Sequence, residues 1–402
     1  MRVPLEGGPI TDQGSSGRCW LFAATNIFRI ALMRRHNLAS FELSQSYLFF
    51  WDKLEKANWF LEQAADTSRE DLDSRLVQAL LGDIVSDGGQ WDMVHNLVEK
   101  YGLVPQALYP DSWSARNSRV LNGILTTKLR EGALALRRIA RDAGAGQGDL
   151  AAAKEGIMRE VLLVLTLTLG KPPAPDETFT WAFIDKDGAA HEHASSPRAF
   201  ARNLYSPAPH ITSASIASMI SLVHDPRHEY FERMTVSRLG NVVGGRGVTY
   251  VNVPMETLKA ACVAMLRAGL PVFFGSDVGK FSSSESGVMD LSLVDYEVGF
   301  NVSMLGMDKA DRLRTGQSAM THAMVLTGVH VAKGGESVRW RVQNSWGEKA
   351  GEKGWFVMSD GWMDEFVYQA VVDPRYVGKE VKDVLGKEPI VLPLWDPMGA
   401  LA

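Results

Sequence analysis

The stretch Gln13-Gly14-Ser15-Ser16-Gly17-Arg18-Cys19-Trp20 opens a run, residues 21–32, that is apolar on nearly every face of a helix. This pattern predicts a buried central helix with Cys19 in its first turn. Unpaired backbone N–H groups and the helix dipole favour an anion there, so they lower the pKa of a thiol. A lone cysteine is more often an inert core residue, so its role depends on which other groups the chain supplies.

Two polar residues far along the chain offer the groups that such a thiol needs. His322 begins a predicted apolar strand, and Asn344 ends another twenty-two residues later. A neutral imidazole can accept the thiol proton, and an amide oxygen can hold the ring by its other N–H. Gln13 can donate a side-chain N–H to the oxyanion formed on attack, and loss of such a donor costs about 2.7–4 kcal/mol of transition-state stabilisation.

The order of predicted elements indicates an α+β protein with two lobes and a site in the cleft between them. Helical periodicity dominates the start of the chain, and short apolar strands separated by glycine dominate the last third. We expect four parts: a helical lobe carrying Cys19 (1–110), a helical insertion (111–240), a β-rich lobe carrying His322 and Asn344 (241–380), and a C-terminal arm (381–402).

The composition of the chain indicates which partners and which cellular compartment to expect. The 402 residues carry a net charge of -5, which gives no electrostatic reason to expect nucleic acid as a partner. The most apolar run, residues 161–169, is about half a membrane span, so no membrane is expected. Two cysteines and an N-terminus without a signal-peptide pattern favour a reducing cytoplasm. Cys262 lies within an apolar helical pattern and is expected to be core packing.

We expect no metal and no cofactor. His191 and His193 are two residues apart, which suits one face of a strand, but no cysteine stands near them to complete a zinc set. The run Gly244-Gly245-Arg246-Gly247 lacks the lysine and the strand–helix context of a phosphate loop, so it is expected to be a turn.

The Gln13…Cys19-Trp20 stretch, the His322 strand and Asn344-Ser345-Trp346-Gly347 resemble the papain superfamily. Five longer motifs are similar to one branch of it, the bleomycin hydrolase/aminopeptidase C family. They are Ser15-Ser16-Gly17-Arg18-Cys19-Trp20-Leu21-Phe22, Trp51-Asp52-Lys53-Leu54-Glu55-Lys56-Ala57-Asn58, Asp87-Gly88-Gly89-Gln90-Trp91-Asp92-Met93, Met320-Thr321-His322-Ala323-Met324, and Trp395-Asp396-Pro397-Met398-Gly399-Ala400-Leu401-Ala402. The 303 residues from Cys19 to His322 are about double the 130–150 of papain-type enzymes, which fits the large helical insertions of this branch.

The resemblance implies a papain-like fold and a cysteine aminopeptidase that works through a thioester on peptides and amide-type substrates. It also implies a homohexamer whose active sites face inward and whose C-terminal arm lies in the cleft. The roles that it implies are: Cys19 as the nucleophile, His322 as its acid/base, Asn344 as the orienting residue, Gln13 in the oxyanion hole, Gly88 and Gly89 as backbone contacts to substrate, Trp346 as the shield of the His–Asn pair, and the Ala402 carboxylate facing the substrate amino group.

Two other classes of function stay open at this point. One is a non-catalytic protein that kept the fold and binds a partner such as nucleic acid, which the acidic balance disfavours. The other is a thiol acyltransferase that passes the acyl group to an amine instead of to water. Release of an N-terminal amino acid from a small amide, measured before and after thiol alkylation, separates these classes from a peptidase.

Overall fold

The structure, a computed structural model, describes residues 7–142, 144, 146–207 and 210–401. Its helices within these ranges are α1 (Cys19–Arg35), α2 (Gln45–Asp66), α3 (Arg75–Gly82), α4 (Trp91–Tyr101), α5 (Trp113–Arg116), α6 (Arg119–Arg141), α7 (Gln147–Leu169), α8 (Pro197–Arg202), α9 (Ser213–Ala217), α10 (Met255–Arg267), α11 (Tyr296–Phe300), α12 (Lys309–Thr315), α13 (Asp360–Phe366) and α14 (Lys379–Val384).

The strands within the same ranges are β1 (Phe179–Ile184), β2 (Ala190–Ser195), β3 (Tyr205–Pro207), β4 (His210–Thr212), β5 (Ile220–Val223), β6 (Glu232–Val236), β7 (Thr249–Asn252), β8 (Val272–Ser276), β9 (Ser282–Ser283), β10 (Val288–Met289), β11 (His322–Val331), β12 (Ser337–Gln343), β13 (Trp355–Ser359), β14 (Val367–Val372) and β15 (Ile390–Leu392). Short 3₁₀ turns lie at Gln106–Leu108, Pro374–Tyr376 and Pro397–Gly399.

The first part of the chain is a helical layer built around α1. Every residue of α1 from Cys19 to Met33 is buried, as the sequence predicted for a helix that is apolar on nearly every face. The next long helix, α2, begins where the Ser44 hydroxyl accepts a hydrogen bond from Tyr47 N (3.0 Å), which satisfies one of the backbone donors left free at a helix start. α1 packs against both α2 and the central strands β8 and β11, so it lies between the helical layer and the sheet.

The main sheet has eleven strands in the order β15-β6-β7-β5-β14-β8-β11-β12-β13-β10-β9. Its central strands β8 and β14 are buried at every residue, and both α1 and α10 pack against this part of the sheet. Central strands covered in this way read as continuous apolar runs, which is the pattern of the last third of the sequence. The predicted α+β papain-like fold is confirmed.

One part of the expected domain division needs a correction. The segment 111–240 was expected to be a helical insertion, and it does contain the long antiparallel pair α6 and α7. Its last part, however, supplies β5 and β6, which are strands of the main sheet beside β7. Because each also pairs with a strand from the end of the chain, β14 for β5 and β15 for β6, the local pattern could not assign them to the main sheet. The proposed insertion therefore ends before β5.

Candidate active site

His322 and Asn344 lie at the same edge of the main sheet. His322 is the first residue of β11, and its Cα pairs with that of Ser276, the last residue of β8. β12 runs antiparallel to β11, so its end at Gln343 lies near the beginning of β11, and Asn344 follows directly. The two short apolar strands thus bring together polar residues that are twenty-two positions apart.

The hydrogen bonds around Asn344 fix the tautomer of the histidine. His322 Nε2 is 2.8 Å from Asn344 Oδ1, and the backbone N–H of Ser345 donates to the same oxygen at 2.8 Å. An amide oxygen can only accept, so Nε2 must be the donor of the pair. In the neutral ring, the other nitrogen, Nδ1, is therefore an acceptor that is ready to take a proton.

Cys19 reaches this edge from the helical layer. It is the first residue of α1, and the backbone N–H of Ala323, next to His322, donates to its Sγ at 3.4 Å. Cys19 and His322 are both buried, with 2% and 4% of their surface exposed. The sulfur thus contacts the residue that follows His322, where α1 packs on β11.

Burial opposes a charge on either group alone. It raises the pKa of the Cys19 thiol to about 11, against the opposing effect of the backbone N–H groups of Ala323, Trp20 and Cys19 itself. It lowers the pKa of His322 to about 4, against the hydrogen bond to Asn344. Burial by itself therefore favours the neutral form of each group. A thiolate beside an imidazolium is the charged form in which each group has a counter-ion.

The Gln13 amide is held beside this pair at both of its ends. Its Oε1 accepts from Ser345 Oγ (2.7 Å), its Nε2 donates to Ser16 O (2.6 Å), and its backbone N–H donates to Ser345 O (2.9 Å). A primary amide carries two N–H bonds, of which Ser16 takes one. Gln13 also links the segment before Cys19 to the segment after Asn344, so both halves of the site share one hydrogen-bonded frame.

Trp346 covers the histidine. The centroids of its indole ring and of the His322 imidazole are 4.7 Å apart, and the two ring planes meet at 33°. The residue is itself half-buried, and it packs edge-on against Phe356 of β13. A ring in this place limits the access of water to the imidazole.

Gly88 and Gly89 lie on the other side of the α1 start. The Gly88 carbonyl accepts from Lys56 Nζ at 2.6 Å. Gly89 packs so closely on the Trp20 indole that a Cβ at this position would lie 2.5 Å from two of its ring carbons. Glycine is therefore required at position 89 by contact with the residue that follows Cys19. Ala402, the last expected site residue, lies outside the described residues.

The sequence patterns gave no role to two charged residues that fix the loop before Cys19. Arg18 is fully buried, donates to Ser16 Oγ (2.8 Å) and forms a two-pronged ion pair with Asp111 (2.8 and 3.0 Å). Asp87 accepts from Gly17 N (3.0 Å), and its carbonyl accepts from Trp20 Nε1 (2.6 Å). Arg18 and Asp87 stood inside the quoted motifs, but their partners are 93 and 70 residues away, so no local pattern could indicate them.

Asp87 is charged although it is buried. Burial alone would raise the pKa of its carboxyl group, but Lys53 Nζ at 2.6 Å and the donors Ser118 and Gly17 together hold that pKa well below its usual range. The Lys53–Asp87 pair joins α2 to the loop between α3 and α4, and Asp87 in turn accepts from Gly17 N in the segment before Cys19. A buried pair of this kind has a defined geometry, because breaking it leaves an uncompensated charge.

The remaining candidates lie away from this edge. Cys262, in α10, is fully buried, and burial raises the pKa of its thiol to about 12. His191 Nε2 is 2.9 Å from Asp185 Oδ2, and the His193 ring packs against that of His36. In the described part of the chain, no group of three or more His, Cys, Asp or Glu side chains could hold a metal ion.

No helix among the described residues has the length and apolar character that a membrane crossing needs.

The chain is 45% identical to the bleomycin hydrolase of Homo sapiens over 407 aligned residues, covering 100% of this chain and 88% of that protein. It is 46% identical to "Cysteine proteinase 1, mitochondrial" of Saccharomyces cerevisiae (strain YJM789), of which 82% is covered.

Among solved structures, PepW from Lactobacillus rhamnosis HN001 superimposes with a TM-score of 0.94 at 42% identity, covering 100% of this chain and 88% of that one. The Peptidase C1-like family matches residues 1–399. A match over nearly the whole chain, with relatives of more than 40% identity, agrees with the cysteine, histidine and asparagine found together at the sheet edge. This chain belongs to the Peptidase C1-like family and is a cysteine peptidase of the bleomycin hydrolase type.

Proposed function

We propose that this chain, a cysteine aminopeptidase similar to bleomycin hydrolase, uses Cys19 as its nucleophile, His322 as the acid/base and Asn344 as the orienting residue. The observation that carries this assignment is the contact of the Cys19 sulfur with the backbone of Ala323, beside an imidazole whose Nε2 is held by Asn344. The tautomer leaves Nδ1 able to take the thiol proton.

The first half of the reaction transfers the acyl group to sulfur. As Cys19 Sγ bonds to the substrate carbonyl carbon, its proton passes to His322 Nδ1, and the carbonyl oxygen becomes an oxyanion. The imidazolium then gives that proton to the departing amine, the C–N bond breaks, and a thioester remains. The oxyanion and the imidazolium form together and have opposite charges, which stabilises both in this buried place. The positive end of the α1 dipole lies beside them and stabilises the negative charge.

The second half returns the enzyme to its resting state. Water attacks the thioester carbon and loses a proton to His322, and the sulfur leaves as the acid product forms. The Cys19 thiol then regains its proton from the imidazolium. Asn344 Oδ1 accepts from Nε2 throughout, and the Trp346 ring keeps bulk water from competing for that hydrogen bond.

We assign the oxyanion to the backbone N–H of Cys19 and the side-chain amide of Gln13. Support comes from the position of Cys19 at N1 of α1 and from the two hydrogen bonds that lock the Gln13 amide. Gly88 and Gly89 are proposed to bind the substrate backbone. Their closeness to Trp20, the residue after Cys19, supports this role.

The exopeptidase character is proposed to come from the C-terminal arm. By the family resemblance, the arm occupies the cleft on the side away from the leaving group, and the Ala402 carboxylate faces the substrate amino group. The described part of the arm supports this position, since Gln90 Nε2 donates to Ala400 O at 2.6 Å next to the Gly88-Gly89 pair. A carboxylate and an ammonium in a partly desolvated cleft attract more strongly than in water.

The assembly is proposed to be a homohexamer, and the compartment the cytoplasm. Support for assembly comes from α6 and α7, which expose apolar side chains that a neighbouring copy would cover: Val120, Leu163 and Leu167 (57, 59 and 77% exposed). Static light scattering tests the hexamer, and a monomer at micromolar concentration would exclude it. The yeast relative is named a mitochondrial proteinase. The position of a fluorescent fusion in the cell therefore tests the proposed compartment.

One assay tests the function against its alternatives. The purified chain is given an aminoacyl amide of a fluorescent amine, with and without iodoacetamide, and with and without a second amine such as hydroxylamine. A peptidase releases the fluorophore and the free amino acid, and alkylation abolishes both. Release that requires an added amine and does not occur in water alone would identify an acyltransferase, and no release under any condition would identify a non-catalytic protein.

A further inference from the structure

The base of the C-terminal arm is tied to the sheet. β15 pairs in parallel with β6, and after it Arg227 Nη2 meets Asp396 Oδ1 at 2.8 Å. The same guanidinium is 2.8 Å from Asp225 Oδ2. The Asp225 side chain is fully buried, and the other two side chains are only 10% exposed.

This ion pair stays charged and holds a defined geometry. Burial would lower the Arg227 pKa, but hydrogen bonds to the two carboxylates raise that pKa above its ordinary value. Planar, charge-assisted contacts of an arginine fix direction as well as distance. Asp396 Oδ1 also accepts from Met398 N (2.8 Å), and the Met398 carbonyl accepts from the Tyr250 hydroxyl (3.0 Å), so the turn after Asp396 is fixed too.

The Gln90 side chain holds the described part of the arm's tip by a hydrogen bond. Gln90 is 1% exposed, and its Nε2 donates to Ala400 O at 2.6 Å. Its Oε1 is buried and has no hydrogen-bond partner in the structure as described. A buried acceptor without a partner costs free energy. The hydrogen bond from the other end of the amide to Ala400 O offsets part of this cost and holds the side chain in place.

Gln90 also connects the arm to the nucleophile's helix. It directly follows Gly89, which packs on the Trp20 indole, and Trp20 follows Cys19. The distance from the arm's tip to Cys19 is therefore set by a short series of packed residues with little freedom to change.

We propose that Gln90 is the positioning residue for the tip of the C-terminal arm, and that the Arg227–Asp396 ion pair is the matching anchor at its base. This inference rests on the proposed role of the arm as a gate. It adds that Gln90 and the Arg227–Asp396 ion pair set the position of that gate. With both contacts present, the tip has one position, and a substrate can place only one residue on the N-terminal side of the scissile bond. Without the Gln90 amide, the tip swings about a fixed base, and longer substrates enter.

The test measures the arm directly, without catalysis. Gln90→Met keeps the volume and loses the donor and the acceptor of the amide, and Asp396→Asn removes the negative charge that Arg227 meets at the base of the arm. Gln147→Met, at an exposed residue of α7, is the matched control. The release of the tip from its site in each folded protein is followed by hydrogen–deuterium exchange of the backbone amides of residues 398–401, because D₂O reaches the arm even where active sites face the inside of a hexamer. We expect release to be about two- to tenfold faster for Gln90→Met, the loss of one net hydrogen bond, and at least as much faster for Asp396→Asn. The control should match the unaltered protein.

Equal release rates for Gln90→Met, Asp396→Asn and the control would overturn the proposal. Should Gln90→Met fail to fold, Gln90→Asn keeps the amide but shortens its reach, and it carries the same expectation.

A second measurement distinguishes the role of Gln90 in positioning the tip from the role of the arm in excluding longer substrates. We expect kcat/KM for an N-acetylated peptide to rise in Gln90→Met, while iodoacetamide alkylates Cys19 at an unchanged rate. Faster release of arm residues without cleavage of acetylated peptides would leave Gln90 as the positioning residue and contradict the gate. Conversely, if deletion of residues 399–402 admits acetylated peptides but both variants release at the native rate, the gate stands and this proposal is wrong.

Discussion

At the scale of single residues, the site depends on hydrogen bonds that leave little choice of protonation. Asn344 Oδ1 accepts from both His322 and the Ser345 backbone, which makes His322 Nε2 a donor. The sequence predicted His322 and Asn344 as partners, because a histidine and an amide stood at the ends of two apolar strands. It could not predict that Ser345 would also hold Gln13, since that hydrogen bond spans 332 residues.

Replacing Asn344 by alanine should lower kcat/KM without abolishing activity. The ring loses its orienting acceptor, while the thiol and the imidazole both remain. Because a hydrogen bond to a group that becomes charged is worth about 1.5–3 kcal/mol, we expect a loss of roughly ten- to hundredfold. Steady-state kinetics on an aminoacyl amide measure it, with the exposed Asn203→Ala as control. Full activity of Asn344→Ala would contradict the role in orientation.

The pH profile of kcat/KM should be a broad bell. Below about pH 4, the His322 imidazole is protonated while the thiol keeps its proton, so no base remains and the rate falls. Near pH 11 the Cys19 thiol ionises, the pair loses the proton that the leaving amine needs, and the rate falls again. An acid limb with its midpoint at or above the ordinary histidine value of about 6.5 would contradict this assignment.

The same histidine makes a predictable contribution to stability. Its pKa in the folded chain is about 4, below the value of about 6.5 in an unfolded chain. Between these values the unfolded state binds the proton and the folded state does not. The free energy of unfolding should therefore decrease as the pH falls from about 6.5 towards 4, and a His322→Gln variant should show a smaller decrease in urea titrations.

At the scale of secondary-structure elements, the site is a junction between a helix and two strands. The sequence predicted α1 and β11 well, because one is apolar on nearly all faces and the other is a short apolar run. It did not predict that β5 and β6 would join the main sheet, because β14 and β15, which pair with them, stand near the end of the chain. The contact between Gly89 and Trp20 is of the same long-range kind.

Gly89→Ala should destabilise the fold and slow the reaction. The added Cβ would lie 2.5 Å from two carbons of the Trp20 ring, so the start of α1 must shift. Overpacking of this kind typically costs about 1–3 kcal/mol of unfolding free energy. Urea unfolding measures it, and Gly123→Ala in α6, where a Cβ meets nothing within 4 Å, should be neutral or stabilising. Equal stability of the two variants would contradict the close contact.

At the scale of the whole molecule, the C-terminal arm brings Ala400, near the end of the chain, into contact with Gln90 in the helical layer. Its apolar, proline-containing sequence predicted a segment packed on protein, and the arm is fixed by Asp396 and by Gln90. Those contacts span 169 and 310 residues, so the sequence suggested the arm but not its attachments. Its role in choosing substrates stays a prediction.

Deleting residues 399–402 should change substrate choice more than it changes the chemistry. Without the tip, the cleft has no block on its far side, so N-acetylated peptides should be cut internally. Hydrolysis of free aminoacyl amides should weaken, because the carboxylate that attracts their ammonium group is gone. Mass spectrometry of the products distinguishes the two kinds of cleavage. Equal cleavage of acetylated peptides by the intact and shortened chains would contradict the gate.

The central claim is that Cys19, and not Cys262, carries the reaction. Both cysteines are buried, and the Cys19 sulfur contacts the backbone of Ala323, the residue that follows His322. The deciding measurement is the loss of activity during iodoacetamide treatment, followed together with peptide mapping of each thiol. Labelling of Cys19 should rise in proportion to lost activity, Cys19→Ala should be folded and inactive, and Cys262→Ala should stay active at a cost of about 1 kcal/mol in stability. Labelling of Cys262 with full loss of activity, while Cys19 is spared, would contradict the account.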